Sequence, residues 1–258
     1  MLYLSETISK YSSRPPDKVK VEVVSSKVSG QSDGYGLSAP QFFSFYENNI
    51  SIGNNLNPRG FISPISDNAL NFYRYKFEGS FFEDNIHISR IKVIPKRKYE
   101  PLFSGYINIV EDDWRIHSVQ LELTKQSQME ILDTLRIEQL YIPIDKDTWF
   151  ISSQVIYPSI KIFGFDAYGS FVNIYSDINV DPTFTKKTFN NTILKYTDSS
   201  NKRTKEYWDK NRPIPLLTDE LSDYKKKDSL ELLKKDPAYL DSLDKRRNKF
   251  TIAGVLLV

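Results

Sequence analysis

The side chains that could do chemistry in this chain of 258 residues are 33 carboxylates and two histidines, with no cysteine among them. Without cysteine there are no disulfides, thiol nucleophiles, zinc–thiolate sites or iron–sulfur clusters. His87 and His117 are too few for a histidine metal centre, and neither a metal nor a cofactor is expected. The acids gather in Glu111-Asp112-Asp113 and in Asp145-Lys146-Asp147, with Asp166 further on. Acids between two strands ordinarily form a solvated turn, and successive strand residues point to opposite faces. A hydrolase would need two of Asp112, Asp113, Asp145, Asp147 and Asp166 to converge, ~5 Å apart in a retaining glycosidase. The spacing nominates no pair. HExxH, Walker, GxGxxG and GxSxG signatures are all missing. No catalytic residue is assigned, and each histidine reads as a hydrogen-bonded residue of a sheet.

Two groups of residues are candidates for binding. Tyr73, Tyr75 and Phe77 alternate along one strand, and with Trp114, Trp149 and Phe171 on others they could line a groove for an acyl chain or an extended peptide. Aromatics at period two are also ordinary core. Lys96, Arg97 and Lys98 end the densest basic run of the β-rich part and could meet phosphates or anionic lipid headgroups. The same run suits an exposed strand edge, where lysines discourage edge-to-edge pairing. Nucleic acid is not expected, because the net charge is only +2.

These residues must be positioned by a sheet. Val19, Val21 and Val23 alternate along a first strand, followed by a Gly/Ser-rich loop from Ser29 to Gly36. From residue 69 the pattern becomes antiparallel and repetitive: Tyr73 to Glu78 alternate before a turn at Glu83-Asp84-Asn85, then Ile86 to Pro95, Phe103 to Val110, Trp114 to Thr124, Leu135 to Pro143, Trp149 to Pro158 and Ala167 to Val180. Trp114 and Ile116 share one parity while Val119, Leu121 and Leu123 share the other, which predicts a one-residue bulge near His117 and Ser118. Short sequential connections make this an antiparallel meander of about eight strands, curled into a half-barrel. One of its faces needs a cover, from the Phe-rich segment 40–52 or from another molecule. From residue 181 the composition changes to 17 Lys and Arg against 12 Asp and Glu, compared with 18 against 21 before it. A linker is expected to Leu217, then charged helices from Thr218 to Lys235 and from Pro237 onward, with a thin apolar stripe of Leu221, Tyr224, Leu232, Leu233, Leu240 and Leu243. The division is therefore 1–68 lead-in with one strand and an aromatic cover, 69–181 sheet, 182–217 linker, 218–248 helices and 249–258 a new segment. The class is mainly β with C-terminal helices.

Several runs carry a family resemblance: Leu56-Asn-Pro-Arg-Gly-Phe-Ile-Ser-Pro-Ile-Ser-Asp-Asn-Ala-Leu70, Ile91 through Pro95-Lys-Arg-Lys-Tyr99 to Phe103-Ser-Gly-Tyr-Ile-Asn-Ile109, and Trp114-Arg-Ile-His-Ser118. Leu135-Arg-Ile-Glu-Gln-Leu-Tyr141, Gln154-Val-Ile-Tyr-Pro-Ser159 and Gly164-Phe-Asp-Ala-Tyr-Gly169 continue it. Over roughly residues 10–258 the chain resembles a family of uncharacterised Gram-negative outer-membrane proteins. Its members carry an N-terminal carboxypeptidase-regulatory-like sandwich, a middle domain of unknown function and a C-terminal membrane β-barrel. The resemblance makes this chain the middle part, with the sandwich and barrel of the parent chain as its partners. The meander is also similar to the half-barrel of periplasmic lipoprotein carriers, a likeness of fold alone.

The resemblance implies a non-enzymatic, water-facing module of the cell envelope, on the periplasmic face of the outer membrane, binding a lipid, lipoprotein or peptide. A hydrolase of envelope glycans or peptides is one alternative, and a structural plug or brace of the barrel is another. Both ends read as cuts. Met1 to Ser5 runs into Glu6 without a signal-peptide pattern, and the apolar run from Phe250 to Val258 has no polar stop. The latter is expected to begin a barrel-proximal segment rather than a complete membrane strand, because Val255 to Val258 is continuously apolar and does not alternate.

Overall fold

The computed structural model describes residues 3–14, 18–36, 42–53, 56–162, 164–185, 187–190 and 192–255, the side chains of Ile162 and of 247–255 excepted. In chain order the strands are β1 (Ser5–Arg14), β2 (Lys18–Val28), β3 (Asn49–Ile50), β4 (Phe61–Ile62), β5 (Tyr73–Glu83), β6 (Ile86–Pro95), β7 (Ser104–Val110), β8 (Ile116–Thr124), β9 (Thr134–Pro143), β10 (Trp149–Ile162), β11 (Phe165–Tyr168), β12 (Phe171–Ile174) and β13 (Leu194–Tyr196). The helices are α1 (Lys205–Asn211), α2 (Thr218–Lys235) and α3 (Pro237–Val255). No helix among the described residues is long and apolar enough to cross a membrane. Two compact units result: Pro40–Pro182, and Met1–Ala39 together with Thr183–Val258. The expected lead-in 1–68 is thus divided between them.

The first unit is the expected meander. Strands β5 to β11 pair in sequence order as one antiparallel sheet, and β12 joins as the eighth strand. β11 and β12 share the outer edge of β10, one against Ser159–Ile162 and the other against Ser153–Ile156. The sheet stays open rather than closing into a barrel. The β5–β6 hairpin turns on Asp84 and Asn85, both left-handed, as a two-residue turn matched to strand twist requires. The bulge falls where the parity change places it: Asn108 pairs with Ser118 and Ile109 with Ile116, so His117 is the extra residue.

One face of this sheet is covered from within the unit. Phe43, Phe45, Ile50, Ile52 and Phe61 pack against Val93, Ile107, Val119, Leu121, Leu123, Leu135, Ile137 and Ile156 in a single core. Polar bonds fix the cover in register. Gln139 Nε2 donates to the Phe43 carbonyl at 3.0 Å and to Gln154 Oε1 at 2.7 Å, and Tyr141 donates to Gln139 Oε1. A buried polar group without such partners would cost about 1–3 kcal/mol.

The second unit joins chain segments far apart in sequence. β1 and β2 form an antiparallel pair, and β13 adds to β2 in parallel. The stretch 182–217, expected as a linker, instead carries β13 and α1. Its polar composition conceals two anchors: Trp208 is only 3% exposed, and the Tyr207 hydroxyl lies 3.2 Å from Ser25 Oγ. α2 begins at Thr218 as a helical residue, one position after its cap, where Leu217 N–H donates to Glu220 Oε2. α3 runs past residue 248 to Val255, so the described part of the expected new segment is helix, and 256–258 lie outside the described residues.

Candidate functional site

The other face of the eight-stranded sheet holds a cleft of ≈ 280 Å³ lined by the end of β5 and by β7–β10. Register builds it. Asn108, Ser118, Leu140 and Ser153 stand opposite one another in one cross-strand row, and Gln120, Glu138 and Val155 in the next. Such neighbours interact directly. Asn108 Nδ2 donates to Ser118 Oγ at 2.8 Å, while Asn108 Oδ1 is buried with no hydrogen-bond partner. Because it is displaced by the bulge, His117 enters the lining, with Nδ1 3.3 Å from Ser118 Oγ and Nε2 3.8 Å from Glu83 Oε2. Phe81 closes one end. Beside the cleft, the Arg90 guanidinium lies 4.1 Å from the Tyr106 ring and that of Arg136 4.3 Å from Tyr157, and Arg136 pairs with Glu138 at 3.3 Å. Amide, hydroxyl and carboxylate groups on a rigid sheet suit a ligand that both donates and accepts hydrogen bonds. No cluster of metal-ligating side chains occurs among the described residues.

The six aromatic candidates do not form one groove. Tyr73 is 1% exposed within the core, where its hydroxyl donates to the Ile62 carbonyl and accepts from Phe103 N–H. Tyr75 donates to the Pro64 carbonyl at 2.7 Å, and burial pushes its phenol up to about 12. Both therefore pin the cover to the sheet. Phe77, on the same parity but beyond the cover, is 63% exposed. Trp114 is 76% exposed in the β7–β8 turn with a left-handed backbone, off the sheet faces altogether. Trp149 packs against the margin of the core, and Phe171 is exposed on β12 at the far edge of the sheet.

The basic run is exposed, with a partner for each side chain. Lys96 Nζ donates to the Leu70 carbonyl, Arg97 pairs with Glu100 at 2.6 Å, and Lys98 lies 5.5 Å from the Tyr99 ring. Asp113 pairs with Arg115 at 3.5 Å. Asp145 accepts from the backbone of Asp147 and Thr148, which holds its carboxyl below the usual carboxylate range. These are turn-stabilising roles. Asp112 lies in the β7–β8 turn, and Asp166 on β11 faces Lys161 across the strand pair. The cleft residues Asn108, Gln120 and Glu138 escape sequence reading because each is an ordinary polar residue on the wet parity of its strand. Only the register puts them side by side.

The first unit is thus an open antiparallel meander with an internal cover on one face and a hydrogen-bonding cleft on the other. The chain belongs to DUF5686, a family of unknown function, which matches residues 1–178. No curated protein and no solved structure matches it.

Proposed function

We propose that the chain is a water-facing, binding module of an outer-membrane β-barrel protein, on the periplasmic side, whose open sheet face takes an envelope peptide. The observation that carries this is the unmet buried Asn108 Oδ1 inside a cleft of amide, hydroxyl and carboxylate groups. A peptide backbone supplies both the donor that this oxygen lacks and acceptors for its neighbours. An acyl chain supplies neither. The apolar face, where a lipid would sit, is filled by Phe43, Phe45 and Phe61 of the same unit. The parent chain's membrane barrel and N-terminal sandwich are the proposed partners, and no nucleic acid is.

The test is a fluorescence titration of the whole chain with arrayed synthetic peptides, and in parallel with anionic and neutral phospholipid vesicles. Peptide binding weakened roughly tenfold by Asn108→Ala or Glu138→Gln, the worth of one hydrogen bond, is the expected result. Binding to anionic vesicles alone, abolished by replacing Lys96, Arg97 and Lys98 with Gln, would overturn the peptide assignment in favour of a lipid surface.

A further inference from the structure

Ser80 pairs with Ser89 across the β5–β6 hairpin and Phe81 with Ile88, so Ser80 stands on the face opposite to the cleft that Phe81 lines. There it meets two other side chains. Ser80 Oγ lies 3.0 Å from His87 Nε2, and His87 Nδ1 lies 2.6 Å from Glu111 Oε2. Ser89 donates to the other carboxylate oxygen, and the Phe82 ring stacks on the imidazole at 4.6 Å and 10°. A backbone bond from Glu111 N–H to the His87 carbonyl, 3.0 Å, holds the acid in place.

The order of contacts decides the protons. A carboxylate only accepts, so Nδ1 carries the hydrogen toward Glu111, and the Nε2 lone pair faces the hydroxyl of Ser80. Hydroxyl, imidazole and carboxylate in this sequence are the arrangement that activates a serine: the histidine takes the proton while the acid fixes its tautomer and steadies the imidazolium. The site is open to a substrate. Ser80 is exposed, and the side chains of His87 and Glu111 are 34% and 35% exposed. A side chain added at the preceding residue, Gly79, would meet nothing within 4 Å. β5 is an edge of the sheet, so alternate N–H groups along it face no neighbouring strand and can meet an oxyanion.

We propose that Ser80 is a nucleophile, with His87 its general base and Glu111 and Ser89 positioning residues, and that this site cleaves carboxylic esters presented along the β5 edge. Ser80 Oγ attacks the ester carbonyl as its proton passes to His87 Nε2. The C–O bond to the alcohol then breaks, and the leaving oxygen takes that proton from His87. Water attacks the resulting acyl-serine, gives a proton to His87, and releases the carboxylic acid as Ser80 Oγ regains the proton. The inference is independent of the peptide cleft on the other face.

The experiment uses the whole chain with a fluorophosphonate, read by intact mass and peptide mapping, and with p-nitrophenyl acetate, read as turnover. A single adduct mapped to Ser80 is expected, lost in Ser80→Ala. His87→Ala and Glu111→Gln should label at least ~100-fold more slowly, the lower bound for a general base. Glu111→Asp should recover part of the rate, which a merely structural carboxylate would not require. Ser80→Ala alters one exposed hydroxyl, and an unchanged circular dichroism spectrum establishes that it is folded. Absence of an adduct at Ser80, or equal labelling of the wild type and His87→Ala, would overturn the proposal. Peptide binding measured on the same samples separates this outcome from failure of the cleft.

Discussion

The two compact units are held together by different physics. Residues 40–182 bury a continuous aromatic and aliphatic core, with Phe45, Phe61 and Phe103 wholly inaccessible and the Phe103 ring in contact with the other two. In the other unit the buried apolar side chains among the described residues are Val21, Val23, Val28, Trp208 and Tyr224. Its distant segments are joined mainly by charge and backbone. Arg212 grips Glu6 through two nitrogens, and the loop after β2 reads along α2: Ser29 to Asp223, Gly30 N–H to Asp228, Ser32 to Glu231. That loop approaches the helix closely. A Cβ on Gly30, which is left-handed, would lie 2.8 Å from Lys227 Cβ. Of the expected apolar stripe only Tyr224 is buried on α2, while its leucines Leu221, Leu232 and Leu233 are exposed. Apolar burial tolerates changes in salt and acid, whereas polar docking does not.

The contrast can be broken at four points, in falling order of effect. Phe103→Ala removes a ring enclosed by two others and should cost about 3–5 kcal/mol, lowering only the unfolding transition of the sheet unit in calorimetry. If both transitions fell together, the units would not be energetically separate. Glu6→Gln strips the charge from a largely buried bidentate pair. A loss of about 2 kcal/mol is expected for a hydrogen bond to a charged group, confined to the other transition.

Acid supplies the third. The Lys235 ammonium, then Ser32 N–H and hydroxyl, hold the Glu231 carboxyl down to about 2, well below the ~4.3 of a free glutamate. A depressed carboxylate contributes its full stability above the unfolded value and loses it as pH falls through the folded one. The helix-bearing unit should therefore weaken between roughly pH 4.5 and pH 2, and Glu231→Gln should flatten that part of the curve of melting temperature against pH. An unchanged slope would remove Glu231 from the docking. The smallest effect belongs to Leu232→Ser, within about 0.5 kcal/mol as for other exposed sites. A larger loss would restore the apolar stripe as the glue.

Gly105 marks where local pattern ends and packing begins. A Cβ there would approach the Gln120 carbonyl to 2.1 Å, so β7 and β8 can meet only through a glycine. Within Phe103-Ser-Gly-Tyr this residue reads merely as a weak strand former.

What the sequence determined by itself was the meander. Period-two alternation and turn residues are local signals, and each hairpin closes over a few residues, so Ile86–Pro95 and the bulge at His117 follow from patterning alone. The hinge of α2 and α3 was equally local, because Asp236-Pro237 is a cap followed by a first helical residue. The tertiary structure alone decided which face of the sheet is filled, since Tyr73 and Phe77 share a parity and only the cover segment buries one and leaves the other exposed. It alone turned a linker into part of a folded unit, because β13 finds its partner in β2, more than a hundred and fifty residues earlier in the chain. It also brought together Ser80, His87 and Glu111, and separately Asn108, Gln120 and Glu138, which no sequence motif links. Juxtaposition across strands depends on register, and register is a property of pairs of segments rather than of either one.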